Sequence, residues 1–226
     1  ADTLGRTQFK VQDLNDTALI AANIGGGGVV GGTVKNVSIL PWAIGETVAG
    51  GMADANMGNT FVSYVDNRGL VPLALANEYS TFAAAAAGHN VRESLTADLG
   101  SLASLTANSL IIHNNSTAAS AVTVSGAGVG AALGLSSGAL MFTLNSAATA
   151  STAHAVTLGG FDDGITAGSS GEYVIHVVNP SSAATTPVLT ATIGSPLTSA
   201  ADLTKSGRGT LILTGANTFG GGARRT

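Results

Sequence analysis

From about residue 109 onward, apolar side chains recur at every second position. Leu110 and Ile112 are set to face one way and Ile111 and His113 the other. The same alternation recurs in Val122/Val124, Leu140/Phe142/Leu144, Val156/Leu158, Tyr173/Ile175/Val177, Leu189/Ala191/Ile193 and Leu211/Leu213. A period of two is that of a strand with one face in a core. Representative inward positions (112, 124, 142, 158, 175, 191, 211) are 12 to 20 residues apart. That uneven spacing predicts strands stacked in register, with connections of varying length. The expected connections are Ser125-Gly126-Ala-Gly128, Ser136-Ser137-Gly138, Gly159-Gly160, Asp162-Asp163-Gly164 and Asn179-Pro180-Ser181, which carry turn-forming residues. By this pattern residues 109–226 form a β-solenoid, and residues 1–108 form a less regular N-terminal β region or cap, continuous with it or separate.

The pattern is weaker in those first residues. Thr33–Leu40 reads as a strand with a bulge, because Val34 and Val37 are out of phase. Thr60–Val65 is a second strand and Leu70–Leu75 a third, which Pro72 places toward an edge. Tyr79–Ala87, with five consecutive alanines, reads as a short helix on propensity or as a loop of small side chains.

Composition supports an elongated body. The 226 residues include 31 glycines, with 10% charged and 4% aromatic residues. Thr and Val suit pleated faces, while Gly and Asn supply positive-φ corners. The net charge of −4 offers no basic stripe for nucleic-acid phosphates. No run of about 18 apolar residues marks a membrane-spanning helix. The chain has no cysteine, so no disulfide framework is available. Ala1-Asp-Thr-Leu-Gly5 lacks the basic and apolar regions of a signal peptide. This suggests that a leader has been removed or that the chain is an internal fragment.

Candidate chemistry is sparse. Gly25–Gly28 and Gly126-Ala-Gly128-Val-Gly130 lack the dinucleotide spacing and the lysine of a phosphate loop, so they read as turns. Asp162 and Asp163 are hard oxygen ligands, but two adjacent carboxylates cannot complete a calcium shell, and a solvated turn is expected. His89, His113, His154 and His176 have no zinc spacing, and His113 and His176 are expected to be exposed on outward faces. No pair stands out among Glu46, Asp54, Asp66, Glu78, Glu93, Asp98, Asp162, Asp163 and Glu172 for glycoside hydrolysis. Lys and Arg are absent from 93 to 204, which weakens a lyase reading. Trp42 beside Pro41 reads as a core or capping anchor, with a sugar-stacking platform as the alternative. Arg224-Arg225 reads as a solvated end, with a processing or partner signal as the alternative.

The segment Leu203-Thr-Lys205-Ser-Gly207-Arg-Gly209-Thr-Leu211-Ile-Leu213-Thr-Gly215-Ala-Asn217-Thr-Phe219 sets a glycine turn, an alternating strand and a second turn in sequence. It resembles the autotransporter-associated β-strand repeat of bacterial secreted and surface proteins, over about residues 197–223. Ile39–Ile44, Phe61–Tyr64 and Asn67–Leu70 are similar to segments upstream of such repeats. The resemblance implies a right-handed parallel β-helix on the bacterial surface or outside the cell. Within it, Leu203, Lys205, Gly207, Gly209, Leu211, Leu213, Gly215, Asn217 and Phe219 are structural residues, with no catalytic group, metal or cofactor.

A repeat cannot bury its own apolar face and needs a neighbouring rung. The sequence therefore leads to a non-enzymatic structural protein that associates head-to-tail with itself into a fibre or stalk. Cell-surface polysaccharide is a second partner class. The alternative on the same scaffold is a carbohydrate-binding or polysaccharide-degrading module.

Overall fold

The computed structural model describes residues 23–28, 30–47, 58–65, 68–145, 153–168, 171–179 and 188–225. Pro180-Ser181, Asp54, Asp66, Asn67 and the first five residues lie outside the described residues.

The alternating segments form a right-handed parallel β-helix. One ladder stacks β4 (Asn90–Leu95), β6 (Leu105–Asn114), β8 (Leu133–Leu144), β11 (Glu172–Val177), β13 (Asp202–Ser206) and β15 (Ala223–Arg225). A second ladder stacks β5 (Leu99–Leu102), β7 (Ser120–Gly128), β9 (Ala153–Phe161), β12 (Val188–Ile193) and β14 (Thr210–Leu213). A narrow third face forms where the first residues of β6 and β8 meet β10 (Ile165–Thr166), aligning Leu105, Leu133 and Ile165. An isolated bridge then joins Ile165 to Leu197.

One column of the first ladder reads Val91, Leu110, Leu140, Ile175, Lys205 and Arg225. Its steps show that coils differ in length. They also show that strands consecutive in sequence lie on different faces, so the 12-to-20-residue spacing is strand to strand and each coil is longer. Period-two alternation identifies a strand but says nothing of which strand it stacks upon. Ser136-Ser137-Gly138 is not a connection between strands. It lies inside β8, where Gly138 at φ 68° lets the chain pass from one face to the next. The parallel stack already includes Asn90–Leu95, and the 108/109 division falls within β6.

Inside the coil, Leu110, Ile112, Leu140, Phe142, Tyr173, Ile175, Val156, Leu158, Leu189 and Ile193 form one continuous apolar core. Parallel in-register stacking sets like side chains above one another, and removal of this area from water is the main stabilising term.

The N-terminal region adds an antiparallel sheet of β1 (Leu40–Gly45), β2 (Thr60–Val65) and β3 (Gly69–Pro72). β2 has the expected bounds. β1 begins at Leu40 rather than running from Thr33 to Leu40; upstream of it only the isolated bridges Gly28–Val37 and Ile24–Ile39 form. β3 ends at Pro72, which has no N–H to donate to a ladder. Within Tyr79–Ala87 only a single 3₁₀ turn, Phe82–Ala84, forms. Its alanines define no apolar stripe that would stabilise a longer helix.

This sheet lies on the outer face of the first ladder. Val30, Val37, Ile39, Phe61, Leu73 and Tyr79 pack on the outward residues Ile111, Ala139 and Met141 in a second core. Buried amides stitch the two layers together. The Asn90 and Asn108 Nδ2 groups both donate to the Val37 carbonyl, at 2.8 and 2.9 Å. Ser109 Oγ donates to Asn90 Oδ1 at 2.7 Å. The Tyr79 hydroxyl meets Thr60 Oγ1 at 2.9 Å and accepts from the Phe61 N–H at 3.0 Å. Burial pushes the ionisation of this hydroxyl far above the usual tyrosine range.

Candidate assembly surface

The residues of the repeat form one complete coil and start another. Leu203 is buried over Tyr173 in the ladder. Gly207 turns the chain at φ 84°, and a Cβ there would collide with the Val177 carbonyl. Gly209, on the other side of the turn, is required by close packing alone: a Cβ there would meet Val177 Cγ1 and stand 2.9 Å from the Leu189 carbonyl. Leu211 and Leu213 pair with Ala191 and Ile193 of the preceding coil. Both are half-buried against the main core, as is Phe219. Gly215 lies against the Ser195 backbone, with room for no Cβ. The Asn217 N–H donates to the Gly215 carbonyl within the turn at 2.9 Å, while its side chain reaches the coil below, Oδ1 accepting from the Leu197 N–H at 2.9 Å.

The following residues begin the next coil in register. Thr218 N–H donates to the Leu197 carbonyl at 2.8 Å, and Gly222 N–H donates to Asp202 Oδ1 at 2.8 Å. β15 then pairs with β13. Lys205 occupies the inward column above Ile175, and its Nζ donates to the Gly207 carbonyl. Desolvation, then the neighbouring Arg225 charge, depress the Lys205 pKa.

The opposite end of the stack is partly closed. Ser80 extends the first ladder beyond β4, its N–H donating to the Asn90 carbonyl at 2.9 Å and its carbonyl accepting from Arg92 N–H at 2.8 Å. Phe82 and Ala85 pack over the core beneath, and inward-facing Glu93 accepts a hydrogen bond from the Phe82 N–H. Burial raises the Glu93 pKa, against the lowering effects of that bond and of Arg92. Glu78 is fully buried and accepts from the Gly31 and Ala74 N–H groups at 2.6 Å each, tying the N-terminal loops together. Both carboxylates thus serve backbone donors. Sequence reasoning did not single them out for this, since no local pattern announces a long-range bond to a loop.

Two expectations about exposed groups are corrected. His176 does point outward from the coil, yet it is only 2% exposed because the N-terminal sheet covers it. Its Nε2–H donates to the Pro41 carbonyl at 2.8 Å, and Phe61 meets the ring edge-on with centroids 6.1 Å apart. His176 Nδ1 is buried without a partner, and desolvation holds the ring below the usual histidine pKa. His113 is also mostly buried, bonded through Nδ1 to Thr143 Oγ1 at 2.8 Å. Burial, then the Arg92 charge, push its pKa down to about 4. Trp42, expected as a core or capping anchor, is 57% exposed on β1. The register of β1 shifts between Leu40 and Ile44, and this irregularity breaks the alternation, so that Trp42 faces solvent although Leu40, two residues before it, is buried.

The depressed histidines make stability depend on pH. A histidine that is neutral in the fold but protonated when unfolded stabilises the fold fully above about pH 6.5, its ordinary pKa, and the stability is lost as pH falls toward 4. For His113 this amounts to at most about 3 kcal/mol. His113→Gln is expected to flatten the denaturation midpoint between pH 6.5 and 4. An unchanged slope in that window would show that His113 is not buried as a neutral ring.

Asp162 and Asp163 are exposed in a tight turn, where Asp163 Oδ1 accepts from the Gly130 N–H at 3.3 Å. Among the described residues no group of three or more His, Cys, Asp or Glu is placed to hold a metal ion. None of their helices is long and apolar enough to cross a membrane. Comparison with protein-family models, curated proteins and solved structures found no match to this chain. The resemblance of residues 197–223 to the autotransporter-associated repeat therefore stands on those residues alone.

Proposed function

We propose that this chain is a structural β-solenoid of a secreted or cell-surface bacterial protein, acting as a stalk or fibre unit through head-to-tail stacking. The observation that carries this reading is the unbroken parallel register up to β14 and β15, with Leu211, Leu213 and Phe219 only half covered. Their apolar faces gain full burial when another rung is laid on them, whether a further coil of the same protein or a second copy. For two leucines that completion is worth roughly 1–3 kcal/mol at about 25 cal/mol per Å2. The resemblance to passenger repeats supports the extracellular placement. A role based on shape also fits carboxylates Glu78 and Glu93, which are engaged with backbone rather than grouped for catalysis.

Light scattering over a dilution series, followed by negative-stain electron microscopy, tests the proposal. End-to-end rods that lengthen with concentration are the expected result. Particles that remain monomeric at millimolar concentration would remove head-to-tail stacking from the reading.

A further inference from the structure

The N-terminal region holds a recess that takes no part in the coil. Its volume is about 460 Å3, and it is lined from the Val30–Gly31 loop, from Thr47 just after β1, and from the chain running from Arg68 through β3 to Glu78. Val30, Val71, Pro72 and Leu75 make its walls, so most of the lining is apolar. Recesses of this size, apolar with a few polar groups, are the usual shape of a small-molecule site.

Two polar groups in the lining are left without a partner. Arg68 is exposed, and its guanidinium meets no acceptor among the described residues. It lies over the chain at Gly31, where a Cβ would stand 3.0 Å from Arg68 Nη1. Thr47 Oγ1 is buried and makes no hydrogen bond. The Thr47 backbone is fixed by Asn59, its N–H donating to Oδ1 at 3.0 Å and its carbonyl accepting from Nδ2 at 3.2 Å. The hydroxyl is therefore held in the wall with its own bonding capacity unused. Glu78 is the one acid in the lining. It has no exposed surface, and its two oxygens accept from the Gly31 and Ala74 N–H groups at 2.6 Å each. Its charge disfavours an anion at the inner wall and leaves Arg68 as the place for one.

We propose that this recess binds a small organic carboxylate with an apolar body. The carboxylate pairs with Arg68, and the hydrocarbon part lies against Val71, Pro72 and Leu75. A planar guanidinium presents paired donors that match the two oxygens of a carboxylate. Thr47 offers a hydroxyl donor to an oxygen that reaches the wall. A bare inorganic anion would leave the apolar walls uncovered, and an uncharged hydrocarbon would leave the guanidinium unpaired. The site stands apart from the head-to-tail reading, and its failure leaves that reading intact.

Hexanoate is the probe, titrated into the 226-residue chain and followed by the amide resonances of Gly31, Val71 and Ala74. Acetate, hexanol and galacturonate are the comparisons. Hexanoate is expected to give saturable shifts at those amides and to bind about tenfold or more tighter than acetate or hexanol. Arg68→Gln is expected to weaken hexanoate by about tenfold or more and to leave hexanol unchanged, with Arg68→Lys between the two. Arg68 is exposed and its side chain bonds to no described residue, so neither variant is expected to move the thermal midpoint. The absence of saturable shifts, equal binding of hexanoate and either acetate or hexanol, or undiminished binding by Arg68→Gln would each overturn the proposal. Galacturonate binding more tightly than hexanoate would overturn it in favour of an acidic sugar.

Discussion

Gly207→Val is expected to lower stability by about 3 kcal/mol or more, and Lys205→Ala by less than about 1 kcal/mol. Gly207 lies at φ 84°, where a β-branched residue is strained, and any Cβ there meets the Val177 carbonyl of the coil below. Backbone on both sides is held by the ladder, so neither strand can yield without breaking hydrogen bonds. Lys205 has one bond to the Gly207 carbonyl and is only partly buried, beside a like charge. Losing it removes a weak bond and some repulsion together. Urea denaturation followed by circular dichroism separates the two variants, and equal midpoints would refute the role given to this turn.

The N-terminal sheet should come loose before the coil does. Phe61 has no exposed surface, and it packs in the second core and against the edge of His176. Phe61→Ala opens a cavity where β2 meets the coil, at a cost of about 3–5 kcal/mol. Water admitted there also reaches His176 Nδ1, so acid should free the sheet further. Hydrogen exchange is expected to show faster amides in β1, β2 and β3, with β12 and β14 protected as before. Loss of protection spread evenly along the chain would mean that sheet and coil unfold as one unit.

These two sites mark where sequence is and is not informative. The Gly207 turn was legible because local chemistry specifies it: a glycine between two short alternating runs has few conformations to choose from. Leu211 and Leu213 were legible for the same reason, since period two fixes which side chains share a face. The lid over the outer face was not. Ile111, Met141 and His176 alternate correctly with inward residues and so read as solvent-facing, yet the sheet of β1 to β3, far upstream in the chain, covers them. Asn90 and Asn108, joined at the Val37 carbonyl, likewise look like ordinary polar positions. Trp42 erred in the opposite direction, an apolar residue left outside where the register of its strand shifts.

From residue 109 onward the sequence alone determined most strands, their inward faces and the Gly207 turn, because those depend on side-chain alternation and on backbone freedom within a few residues. It also supplied the repeat-like coil at 203–222. Only the tertiary structure decided that successive strands belong to different faces, that Glu78 and Glu93 secure loops, and that the outer face is roofed by the N-terminal sheet. Stacking and covering bring together residues far apart in the chain, and an alternating pattern is equally satisfied by water or by a distant sheet on its second face.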